Sequence, residues 1–298
     1  MTPVLFSVSY AGYWGQHRLG VVDFLQKAAD LGYPAVEIGG KRPHLSPLDY
    51  PDDDSLAEIR ATADKLGIEI ATIAGYTDFT SGRASAEVPF VEMQVRYVAD
   101  LSRIARSLGA KIVRVFSGYF TADANYPSDW TRCVDALRES AAVAEAHGVV
   151  LGLQNHHDVG LTVESIEELL IDVDHPNLKL IFDPCSVALT GGDLYESARR
   201  MAPRMVQTTL ADYVRLPRFH YRPELVNYQQ LDPPAVRAVP LGEGFIDLDA
   251  FFRGLRDGGF AGYVAYEMCS PLRGGGSEAN LDEAAGKSLR RIRELTGI

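Results

Sequence analysis

The sequence is poor in cysteine. Cys133, Cys185 and Cys269 are an odd number, lie far apart and form no CxxC pair, which argues against both a disulfide framework and a cysteine zinc site. An excess of positive charge is also missing. With 29 Lys and Arg against 40 Asp and Glu, the net charge is −11, the wrong sign for a surface that binds nucleic-acid phosphates. No stretch reaches the roughly 20 apolar residues that span a bilayer, so no membrane partner is expected. The segment Met1 to Tyr10 has neither the basic region nor the apolar run of a signal peptide, and the cytoplasm is the expected location. No GxGxxG follows the first apolar segment, which removes local support for a dinucleotide fold. No linker or low-complexity tract divides the 298 residues, and a single domain over 1–298 is expected.

What is present is a repeat. An amphipathic helical pattern ends in Gly, and a short apolar run follows at once. Gly32 precedes Ala35 to Ile38, Gly67 precedes Ile68 to Ile73, Gly109 precedes Lys111 to Phe116, Gly148 precedes Val149 to Leu153, and Gly259 precedes Gly262 to Tyr266. Gly just past a helix takes the left-handed conformation without a Cβ penalty. A β-branched apolar run directly after it reads as a buried parallel strand. Leu5 to Ser9, Leu178 to Asp183 and Met205 to Leu210 complete a set of eight strands. Helical patterns lie near 18–31, 53–66, 88–108, 127–147, 162–171, 192–202, 247–257 and 279–296, several with Ser, Thr or Asp at their starts, as at Thr162 and Asp247. Eight β-then-α units predict an α/β fold closed into a (β/α)₈ TIM barrel, with an open doubly wound sheet as the less economical alternative. The stretch from Asp212 to Glu243 reads as one long irregular loop rich in Arg and aromatic residues. Loops of that length are usually functional. This loop and the Arg273 to Gly276 segment are expected to overhang the site or to form a subunit contact in a homo-oligomer.

A barrel of this kind carries its chemistry at the C-terminal ends of its strands. The polar residues there are Glu37 and Lys41, Arg114, Gln154 with His156 and His157, Asp183, Gln207 with Thr209 and Asp212, and Glu267. Asp183 and Glu267 are hard oxygen ligands suited to a divalent metal, Mn²⁺ or Mg²⁺, and His156 suits borderline metals. Glu267 follows Val264, Ala265 and Tyr266, where an unpaired buried carboxylate would be costly, so a functional role is expected for it. Lys41, Arg114, Asp212 and Arg215 are candidates to hold substrate hydroxyls or a phosphate. The plainer readings are a turn at Asp183-Pro184, a structural ion pair at Arg114 and a solvated loop at Lys41. His156 and His157 are adjacent and would point to opposite faces if the strand continued through them.

The order Gln154-Asn-His156, then Phe-Asp183-Pro, Thr209-Leu-Ala-Asp212, Gly242-Glu-Gly-Phe-Ile-Asp247 and Tyr-Glu267 resembles the sugar phosphate isomerase/epimerase family of xylose-isomerase-like barrels, over nearly the whole chain. The resemblance implies a divalent metal held by Glu on strand five, Asp on strand six, His on strand seven and Glu on strand eight. Asp183 and Glu267 match two of these. Gln154 and Thr209 stand where the Glu and His would be, which leaves Gln154 as a weak third ligand. It also implies an enzyme that takes a proton from beside a carbonyl of a small polyol or keto-sugar, with Glu267 and His156 as its acid–base residues. Isomerisation or epimerisation is the first expectation, and β-elimination by a keto-sugar or inosose lyase the second. A two-carboxylate epimerisation is doubtful, because Gln154 cannot act as a base. A sugar-binding or partner-dependent barrel with a decayed metal site is a third reading. The nuclease branch of the family is disfavoured by Thr209 and by the acidic charge.

Overall fold

The computed structural model describes residues 1–82, 85, 87–120 and 125–297. Its strands are β1 (Thr2–Phe6), β2 (Ala35–Gly39), β3 (Glu69–Ala74), β4 (Ile112–Val115), β5 (Val150–Gln154), β6 (Leu178–Phe182), β7 (Met205–Leu210), β8 (Asp212–Arg222), β9 (Asn227–Val239) and β10 (Tyr263–Tyr266). Eight of them close into a parallel barrel in the order β1-β10-β7-β6-β5-β4-β3-β2. The helices α1 (Val21–Leu31), α2 (Ala57–Leu66), α3 (Phe90–Leu108), α4 (Tyr126–Ala146), α5 (Val163–Val173), α6 (Pro184–Thr190), α7 (Leu194–Met201) and α8 (Leu248–Asp257) lie between the strands, and α9 (Glu278–Thr296) follows the last of them. The barrel expected from the repeat is the barrel observed.

Local signals explain the boundaries. Gly32 and Gly67 sit at φ of +81° and +67° and end α1 and α2, each donating its N–H back to the last turn. Thr162 and Ser165 form a reciprocal capping box at the start of α5. The Asp247 side chain accepts from Ala250 N at 2.9 Å and starts α8. The apolar faces of these helices pack on the outside of the barrel into one large core, in which Phe24, Leu101, Leu137, Ile166, Phe251 and Ile292 are fully buried. Among the described residues, no helix is long and apolar enough to cross a membrane.

Three expectations need correction. The first strand is Thr2–Phe6 rather than Leu5 to Ser9, because Thr2 to Leu5 pair with Tyr263 to Tyr266, and the chain then turns into a short 3₁₀ segment, Ser7–Tyr10. The β6 to β7 connection holds two helices. Asp183 does not merely open a turn: its Oδ1 accepts from Cys185 N at 2.8 Å and caps α6. Finally, the supposed loop 212–243 is mostly an antiparallel ribbon of β8 and β9, paired from Asp212↔Val239 out to Arg222↔Asn227. Its outer part presents Phe219, Tyr221 and Tyr228 on one face and Arg218, His220 and Arg222 on the other, following the period of two along each strand. Its root packs on the barrel, where Ala238 bridges Leu272 and where Tyr213 and Val236 line the cavity described below.

Candidate active site

A cavity of about 360 Å³ opens at the C-terminal end of the barrel, and His156, Asp183, Cys185, Tyr213 and Glu267 are among its lining residues. The end of β6 delivers Asp183 and the residue after β10 delivers Glu267, 6% and 7% exposed respectively. Glu267 is pinned by its backbone, which donates to Leu210 O at 2.9 Å. Its Oε1 lies 3.3 Å from Cys269 Sγ, which in turn contacts the Tyr213 hydroxyl at 2.9 Å. Burial and the neighbouring Asp183 charge push the Glu267 carboxyl up to about 8. Burial pushes Asp183 up only to about 6, because the Cys185 N–H, the Gln154 side chain and the Arg114 charge all favour its ionised form. Of the two carboxyl groups in one cavity, Glu267 therefore holds its proton to higher pH than Asp183.

β5 ends at Gln154, so His156 and His157 are not on a strand and do not face opposite ways. Their Nδ1 atoms lie 2.7 Å apart, and His156 Nδ1 also accepts the His157 backbone N–H at 2.9 Å. With Nδ1 accepting, neutral His156 carries its proton on Nε2 and can only donate from there. Desolvation in the cavity wall and the Arg114 charge push His156 down to about 4, so it is neutral near pH 7. His156 thus presents an Nε2–H donor. His157 holds φ +57° and ψ 155°, a combination that costs energy in any residue with a Cβ. Its ring stacks between Phe116 and Tyr119, with centroids 4.3 and 3.9 Å away.

Beneath the cavity lies a polar floor inside the barrel. Arg114 is 2% exposed, with its guanidinium carbon 4.6, 5.0 and 5.1 Å from the ring centroids of Phe116, Phe6 and Tyr76. Its Nη1 donates to Gln154 Oε1 at 3.0 Å and lies 3.6 Å from Glu37 Oε1. Gln207 donates to the other Glu37 oxygen at 2.5 Å and accepts from Thr72 at 2.6 Å. An arginine only donates. The oxygen of Gln154 must therefore face Arg114, and its amide nitrogen is left for Asp183.

The remaining candidates fall elsewhere. Asp212 spends both oxygens on backbone N–H groups: Gly242 and Gly244 at 2.9 and 2.8 Å on Oδ2, and Tyr213 and Ile246 at 2.9 and 3.3 Å on Oδ1. It is a clamp for the segment after the ribbon and has little left to offer a substrate. Arg215 stacks on Phe245 at 4.2 Å, on the exposed flank of β8. Lys41 sits over the Tyr76 ring at 3.6 Å and lines a separate cavity of about 760 Å³ between the β2 and β3 ends and α3. The signals that sequence reading overlooked are Tyr76, two residues beyond β3, and the aromatic walls Phe6 and Phe116.

The chain belongs to the xylose isomerase-like TIM barrel family, whose model matches residues 25–295. It is 29% identical over 258 residues to the inosose dehydratase of Geobacillus kaustophilus, covering 82% of this chain and 78% of that one. Against the D-psicose 3-epimerase of Ruminiclostridium cellulolyticum it is 26% identical over 186 residues, covering 58% of this chain and 61% of the relative, less than two thirds of that protein's length. Among solved structures, the IolI protein with a bound zinc atom superposes with a TM-score of 0.76 at 18% identity, covering 100% of this chain and 98% of that one, a likeness of fold.

A divalent metal is the natural expectation for such a barrel, and the residues present do not fit one. Among the described residues, no group of three or more His, Cys, Asp or Glu side chains is placed to hold a metal ion. Gln154, the expected third ligand, has its oxygen turned to Arg114 Nη1 at 3.0 Å, which puts a cation where a second cation would have to bind. Thr209 Oγ1 is buried with no hydrogen-bond partner, and a hydroxyl is a poor substitute for an imidazole ligand. One Asp183 oxygen is committed to the Cys185 N–H. The guanidinium of Arg114 already places a positive charge beneath the carboxylates.

Proposed function

We propose that this chain is an acid–base enzyme acting on a small polyol or keto-sugar, and that it eliminates water from beside a carbonyl group. Ionised Asp183 takes the proton α to the carbonyl. The C–H electron pair moves into an enolate, whose developing negative oxygen is stabilised by a hydrogen bond from His156 Nε2–H. The enolate then re-forms the carbonyl while the β-hydroxyl leaves, taking the proton of Glu267 and departing as water. The observation that supports this reading is the placement of two buried carboxyl groups in one cavity of about 360 Å³, Glu267 held further above the usual carboxylate range than Asp183. Similarity to an inosose dehydratase over about four fifths of each chain points the same way.

A second reading shares the first step. If the enol is reprotonated at carbon, the product is an isomer or epimer, as the similarity to a D-psicose 3-epimerase suggests. The amide at position 154 cannot act as a base, so a symmetrical two-base epimerisation is disfavoured. Incubation with a panel of inososes and ketohexoses, with products separated by mass, distinguishes the readings. Loss of 18 mass units, the mass of water, is the expected result, whereas an isobaric product supports reprotonation. Glu267→Gln should abolish either turnover, and full activity of that variant would overturn the assignment.

A further inference from the structure

We propose that Arg114 takes the place of the divalent cation in this barrel, so that the site carries a fixed guanidinium charge and works without a bound metal. The inference rests on the location of the site given above, and it concerns how that site is charged. An arginine buried in an aromatic box keeps its proton at all ordinary pH values, so the barrel interior beside Gln154 holds a permanent guanidinium charge, with Glu37 Oε1 3.6 Å from it. Arg114 Nη1 donates at 3.0 Å to Gln154, the residue standing where the resembled family places a metal-binding glutamate.

The two departures from the family pattern make sense together under this arrangement. A glutamate at position 154 would pair with Arg114 directly and add a further negative charge to a site that already contains Glu37, Asp183 and Glu267. Gln154 instead accepts from Arg114 on one end and reaches Asp183 with the other, coupling the guanidinium to the carboxylate without adding charge. Thr209, with its Oγ1 unpartnered, then needs to ligate nothing. Adding a dication to this floor would set it against Arg114 in a low-dielectric interior, where like charges repel strongly.

Metal analysis and Mn²⁺ titration test this directly. Protein purified without chelator is assayed by inductively coupled plasma mass spectrometry. Mn²⁺ binding is followed by electron paramagnetic resonance and by the thermal midpoint. The expected result is less than about a tenth of an equivalent of divalent metal and no shift of the midpoint in millimolar Mn²⁺, since a ligand that does not bind the native state cannot stabilise it. The triple variant Arg114→Met, Gln154→Glu, Thr209→His is expected to gain close to one equivalent of Mn²⁺ and a raised midpoint. Stoichiometric metal in the wild-type chain, or saturable micromolar Mn²⁺ binding to it, would overturn the proposal. If the triple variant does not fold, the wild-type measurement decides alone. Lack of turnover on every keto-sugar would fail the functional reading and leave the metal measurement intact. Activity that is lost on EDTA dialysis and restored by metal would count against this proposal alone.

Discussion

Asp183 and Asp212 stand just past neighbouring strands of the barrel, β6 and β7, and the same carboxylate does opposite work in the two places. Asp212 is saturated by four backbone N–H groups, and the fit is close. A Cβ built on Gly244 would come within 1.9 Å of Asp212 Oδ1, so only glycine lets the backbone approach. Asp183 has one oxygen tied to the Cys185 N–H and lines the cavity. Position at a strand end thus does not assign a role. What decides it is how many lone pairs the fold has already used.

That contrast can be broken from either side. The largest effect is expected for Asp183→Asn. Turnover should fall by about 10²–10⁴, the usual worth of a positioned acid or base, while the thermal midpoint hardly moves, because Asn caps a helix about as well as Asp. A loss of stability without a loss of kcat would reverse the assignment. Next comes Asp212→Ala, which strands buried N–H groups and should cost about 3 kcal/mol of stability. The folded fraction should keep its turnover number, to be checked by chemical denaturation together with active-site titration.

The pH profile comes third. Asp183 must be ionised and Glu267 protonated, so kcat/KM should fall below about 6 and again above about 8, with an optimum between them. Stability should change in one direction only. Both carboxyls have folded pKa values above their unfolded ones, so the folded state holds more protons, and stability declines as pH rises from the ordinary carboxylate range to about 8, then levels off. A profile flat from pH 5 to 9 would remove the acid–base division, those limits bracketing the two values by roughly one unit. The smallest effect is expected for Arg215→Ala, on the exposed flank of the ribbon. It should change stability by less than about 0.5 kcal/mol and leave turnover alone, and a rise in KM would restore its candidacy as a substrate contact.

Much of this was legible in the sequence because burial is legible. The barrel strands are apolar runs bounded by helix-ending glycines, and they fell within a few residues of their observed places. The ribbon was not, because it buries almost nothing. Both of its faces carry polar or aromatic residues in solvent, and Pro217, Pro233 and Pro234 argue against a central strand, although an exposed edge tolerates them. At the site, Asp183 and Glu267 could be read from their positions after apolar strands. The clamp at Asp212 could not, since a carboxylate saturated by amides and one facing a cavity look alike in one dimension. The orientation of Gln154 was equally hidden, because it depends on a partner 40 positions away.

That orientation governs where protons can travel. Arg114 has no lone pair to receive a proton and the Gln154 amide is not a base, so this pair offers Asp183 no proton relay into the barrel. Under the mechanism proposed above, a proton taken up by Asp183 would leave by the cavity mouth, onto the product or out to solvent, before a second cycle could begin.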